Sequence, residues 1–126
     1  MVSRKKLETL TSEIFNINPA IRYAEFFDRR CKSLAGGMRP GVKSLEPPKT
    51  AAKVDVETAK YAILLLKQRK YYGDFGFMYV NTDKVNVLVV PYKSGVLVLT
   101  TNPPVGLEIL PAVKRKLKIY RPSSLK

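Results

Sequence analysis

The chain has 126 residues and sets 23 Lys and Arg against 10 Asp and Glu, a formal charge of +13 at pH 7 reached without a single histidine. Its length suits one domain with one hydrophobic core, and 45% apolar residues with a mean hydropathy of −0.13 mark a folding chain rather than a disordered basic tail. The lack of His excludes a Ser-His-Asp triad, a Cys-His pair and any His-containing metal site, while a lone cysteine, Cys31, excludes an internal disulfide and a four-cysteine zinc site.

Leu7, Leu10, Ile14 and Ile17 recur at three- and four-residue steps between Glu8, Ser12 and Glu13, which predicts an amphipathic first helix capped by Ser3 and ended by Asn18-Pro19. Ile21 to Phe27 alternates as a strand, Asp28-Arg29-Arg30 is a turn, and Cys31 to Ala35 returns as a shorter strand that stops at Gly36-Gly37. Met38 to Lys53 holds three prolines, Gly41 and basic residues, and reads as one long loop. Asp55 to Tyr72 is the second helix, with Asp55 as its cap and a broad apolar face built on Ala59, Ala62, Ile63 and Leu66 and widened by Leu64 and Leu65.

Phe75 to Val80, Val85 to Tyr92 and Val96 to Thr101 follow as an antiparallel meander with short polar turns, and the second of them, apolar on both faces, is expected at the sheet centre. Val105 to Tyr120 is the last helix, bent near its middle by Pro111. The expected domain therefore runs over 1–121, with a loop at 38–53 and a tail at 122–126. Its class is α+β, a five-stranded antiparallel sheet with packed helices in the order α-β-β-α-β-β-β-α.

This order, the chain length and the Ala35-Gly-Gly-Met38 end of the first hairpin resemble the roadblock/longin type of profilin-like domain, and small archaeal proteins with a similar Gly-Gly-Met segment. The resemblance covers about residues 4 to 120. It implies a non-enzymatic module that homodimerises and scaffolds or regulates small GTPases. The dimer would form through the helix matching Asp55 to Tyr72 and the edge strand matching Phe75 to Val80, with Ala59, Ile63, Leu66, Phe75, Phe77 and Tyr79 as the interface.

The residues themselves offer no catalytic, cofactor or metal constellation. Gly36 and Gly41 have the spacing of a phosphate loop, but Val42 stands where the lysine belongs, and glycines at a strand end that needs positive φ explain them more simply. Asp28, Asp55, Asp74 and Asp83 occupy turns and a helix start, where Asp serves local hydrogen bonding. Cys31 has no His to activate it and is expected to be a half-buried strand residue.

Cations form the stronger signal. Arg29, Arg30 and Lys32 cluster at the hairpin, Lys67, Arg69 and Lys70 at the end of the second helix, and Lys114, Arg115, Lys116, Lys118 and Arg121 near the C terminus. Some of this complements helix dipoles, but the excess suits an acidic protein partner or a polyanion. Tyr71, Tyr72 and Tyr120 interleave with the cations and suit stacking on bases, so a nucleic-acid-associated protein is the alternative function, and a PAS-like small-ligand sensor a further one. The longest apolar run, Tyr61 to Leu66, is six residues, against roughly 20 for a membrane span, so no transmembrane segment and a cytoplasmic location are expected.

Overall fold

A computed structural model describes residues 3–118. Helix α1 spans Arg4–Phe15; the Ser3 hydroxyl accepts from the Lys6 amide at 3.2 Å, and Leu7, Leu10 and Ile14 form its buried stripe. Strands β1 (Ile21–Asp28) and β2 (Ser33–Met38) form a hairpin, and β3 (Met78–Asn81), β4 (Asn86–Tyr92) and β5 (Gly95–Thr101) form the meander. All pairings are antiparallel, in the spatial order β2-β1-β5-β4-β3. The element order is α-β-β-α-β-β-β-α, as expected, with α2 (Pro48–Lys67) continued by a single turn, α3 (Arg69–Tyr72), and with α4 (Leu110–Lys118) closing the series.

The centre of the sheet is β5, not β4. The meander folds back so that its last strand pairs with β1, and β5 is buried along nearly its whole length. Strand alternation sends Ala24, Phe26, Leu88, Val90, Leu97 and Leu99 to the layer of α1 and α4, and Tyr23, Phe27, Val89, Val96 and Val98 to the layer of α2. The product is three layers, with a larger core under α1 and α4 and a smaller one under α2.

Several boundaries differ from expectation for local reasons. The glycines do not end β2 but lie inside it: Gly36 and Gly37 have φ of +104° and +149° and pair with Glu25 and Ala24 of β1. Helix α2 begins at Pro48, seven residues before Asp55, because proline's fixed φ suits a first helical position. The loop thereby shrinks to 39–47, and Asp55 faces the sheet from inside the helix. Pro111 sits at the second position of α4, after the 3₁₀ turn Leu107–Ile109, where its missing N–H costs nothing and no mid-helix bend arises. Cys31 is in the hairpin turn, with φ of +64° and half exposed, while its amide donates to the Asp28 carbonyl at 3.0 Å.

Arg39 ties the first half of the chain together. Its guanidinium donates to the carbonyls of Ile21 (2.6 Å), Asn18 (2.8 Å) and Phe15, filling an acceptor that the end of α1 leaves open and joining it to the turn and the first residue of β1.

Candidate functional site

Helix α2 meets the sheet through a narrow stripe. Of its 20 residues only Ala59, Ala62 and Ile63 are buried, and two of these are alanines that let the helix approach closely. On its outer side Val54, Tyr61 and Leu64, spaced seven and three apart, are 43%, 57% and 50% exposed. Lys53, Glu57 and Lys60 border this strip, and Glu57 is paired with Lys60 at 3.1 Å.

Strand β3 lies beside the strip as the edge of the sheet, paired among the described residues only with β4, so its outer N–H and C=O groups face away from the ladder. Val54, Thr58 and Tyr61 of α2 and Met78, Val80 and Val87 of the sheet line one open groove of about 490 Å³. An apolar helix face next to an open strand edge is the arrangement that a second chain can extend.

The interface residues expected from sequence are not together on this surface. Ala59 and Ile63 are buried against the sheet, at 0% and 3% exposure, and Leu66 packs at the margin of the same core. Tyr79 of β3 and Phe77, the residue before the strand, turn to its other side: Tyr79 packs into the α1/α4 core, and Phe77 lies under Lys114, whose Nζ is 5.9 Å from the ring centre. Phe75 packs at the margin of the α2 core before the strand begins. The side chains of β3 that reach the groove are Met78 and Val80. Choosing the other phase of a period-2 strand inverts its faces, and the alternation Phe77, Tyr79 carried the larger aromatic signal.

A carboxyl cluster lies between α2 and β1. The Tyr23 hydroxyl donates to Glu25 Oε1, and the Ser33 hydroxyl donates to Glu25 Oε2. Asp55 faces the same cleft; burial first, then the charge of Glu25, push its carboxyl up to about 6, while its hydrogen bond with Tyr23 works the other way. Burial, with Glu25 next, likewise pushes the Tyr23 hydroxyl far above the ordinary tyrosine range. The adjoining cleft, between Tyr23, Met38, Asp55 and Thr100, holds about 100 Å³, well short of the roughly 300 Å³ of a small-molecule site. The other aspartates do local work: Asp28 Oδ1 accepts from the Arg30 and Lys32 amides at 2.8 and 3.0 Å, and Asp74 pairs with Arg69.

Members of all three sequence clusters of cations converge at one end of the molecule. A depression of about 160 Å³ joins Arg29 of the β1–β2 turn, Arg69 of α3 and Lys93 of the β4–β5 turn, and is walled by Phe75, Pro91 and Tyr92. The same three walls continue into a neighbouring depression of about 310 Å³ lined by Lys114 and Lys118 of α4. Arg30 and Lys32 face a third, with Arg4 of α1. Lys67 and Lys70 stand exposed on the same turns as Arg69. Arg115 is exposed on α4, Lys116 leaves the group to bridge to Glu13 of α1 at 3.3 Å, and Arg121 and Tyr120 lie outside the described residues. Lys93, isolated in sequence, and Arg4, the first of the run Arg4-Lys5-Lys6, join this end only because strand and helix ends meet there.

No family model matches the sequence, and no curated protein matches it. Solved structures do. The gliding protein MglB from Thermus thermophilus superposes with a TM-score of 0.67 at 20% identity, over 91% of this chain and 85% of that one. A roadblock/LC7 domain from Streptomyces avermitilis gives 0.65 at 15% identity, over 94% and 98%. The fold is of the roadblock type. An MglB with a tetrameric arrangement has the same likeness, with a TM-score of 0.68 at 19% identity over 92% of this chain and 85% of that one. Among the described residues no helix is long and apolar enough to cross a membrane.

Proposed function

We propose that this protein is a non-enzymatic interaction module of roadblock type that works as a homodimer, joined through the outer face of α2 and the free edge of β3. One observation carries the reading: Val54, Tyr61 and Leu64 expose an apolar strip that runs into the groove with Met78 and Val80, beside a strand edge with no partner among the described residues. Water contact with such a strip is unfavourable by roughly 25 cal/mol per Å², and a second copy removes it on both sides at once. The tetrameric arrangement of a structurally similar MglB supports self-association through this fold.

Sedimentation equilibrium of the full chain tests it. A dimer that Leu64→Glu converts to a folded monomer is the expected result, and a wild-type monomer at high micromolar concentration would sink the proposal. The roadblock fold adds a small GTPase as the partner class for the assembled dimer. Capture from native lysate with and without nuclease separates such a protein partner from a nucleic-acid bridge.

A further inference from the structure

The basic end is not used by self-association, which engages the middle of α2 and the β3 edge. Turns and helices from all three layers contribute to it: Arg29 and Arg30 from the β1–β2 turn, Arg69 and the exposed Lys70 from α3, Lys93 from the β4–β5 turn, and Lys114 and Lys118 from the second half of α4. Two carboxylates are placed among them: Asp74 pairs with Arg69 and offsets that cation, and Asp28 accepts from backbone amides, so the surplus of positive charge rests on the remaining cations. Beside the cations Tyr71 and Tyr72 stand adjacent on α3, each 75% exposed, the most exposed large apolar residues of the described chain.

We infer that this end docks onto the surface of an anionic lipid bilayer, with the cations over headgroup phosphates and Tyr71 and Tyr72 at headgroup level. Two observations favour a bilayer over the other common polyanion. Nucleic acid offers phosphates along a line, which a groove or a stripe of cations meets best, whereas a leaflet offers a plane. Here the cations are spread in two dimensions across the ends of three layers. Tyrosine beside Arg and Lys is also the composition of a water–lipid boundary, where the ring takes the apolar side and the hydroxyl the wet side. The Lys70 ammonium lies 5.9 Å from the Tyr71 ring centre, so one face of that ring already holds a cation where a nucleobase would stack. This inference stands apart from dimer formation.

Vesicle flotation of the full chain tests it, with phosphatidylcholine alone and with about one-third phosphatidylglycerol at about 0.1 M salt. The chain is expected to rise with the mixed vesicles and not with the neutral ones. Replacing Arg30, Lys70 and Lys114 together by Gln should lower partition by about 100-fold, at roughly fivefold per cation near the surface. Tyr71→Ser with Tyr72→Ser should weaken vesicle binding several-fold and leave retention of short duplex DNA unchanged. All five positions are exposed, so circular dichroism should show native folding in every variant. Failure to float with the anionic vesicles overturns the inference. So does tighter capture by duplex DNA that the tyrosine pair controls, which would make this end a nucleic-acid surface.

Discussion

The guanidinium of Arg39 lies over the ring of Phe15, 5.0 Å from its centre, and donates to the carbonyl of the same residue. One side chain thus closes the end of α1, holds the Asn18 carbonyl and fixes the start of β1. Arg39→Ala should destabilise the domain by about 2–3 kcal/mol, because it leaves part-buried acceptors unpaired and removes a cation–ring contact. Lys should restore only part of this, since an ammonium cannot reproduce the planar fork. Urea unfolding monitored by circular dichroism measures both.

Tyr61 and Leu64 should control association, and Phe77 should not. A carboxylate at either helix position places a desolvated charge in the dimer, so Tyr61→Glu or Leu64→Glu should raise the dissociation constant by 100-fold or more, roughly 3 kcal/mol. Phe77→Ser, on the α4 side of β3, should leave it within about threefold. If Phe77→Ser dissociates the dimer and Leu64→Glu does not, the interface lies on the other side of the strand.

Stability should depend on pH through Asp55. Its carboxyl titrates near 6 in the folded protein against 3.8 ordinarily, so the native state holds its proton longer than the unfolded chain. The stabilising contribution is complete below the lower value and lost as pH rises toward 6, after which the folded protein carries the penalty of a charged group beside Glu25. Asp55→Asn should therefore raise stability by about 1–2 kcal/mol at neutral pH, a figure reduced for the half-buried position, and change it little near pH 4. Paired denaturation curves at the two pH values check the sign.

Gly36→Ala should be costly, and Gly37→Ala much less so. A Cβ at Gly36 would collide with the Ala24 carbonyl oxygen on the neighbouring strand, at a φ of +104°, whereas the space at Gly37 is open. About 2–4 kcal/mol is expected for the first and about 1 kcal/mol for the second, read as shifts in thermal midpoint.

Much of the fold was legible in the sequence because it rests on local periodicity. The stripe Leu7, Leu10, Ile14 dictates α1, the alternation from Ile21 to Phe27 dictates β1, and three apolar runs separated by polar turns dictate a meander. Where local cues conflicted, the signal failed. Pro47-Pro48 looked like loop and proved to start a helix, because proline is disfavoured inside helices and favoured at their first turn. Gly36-Gly37 looked like a stop, yet lies within a paired strand.

The sequence by itself determined the element order, the antiparallel sheet class, the absence of histidine chemistry and the existence of three basic clusters, all properties of composition or of neighbours along the chain. Only the tertiary structure decided that β5 occupies the centre, that Met78 and Val80 rather than Phe77 and Tyr79 share a surface with α2, and that Arg29, Arg69, Lys93 and Lys114 meet at one end. The reason is physical. Which face a side chain takes follows from strand register, and which turns share an end follows from strand order, and both are settled by pairing between segments far apart in the chain.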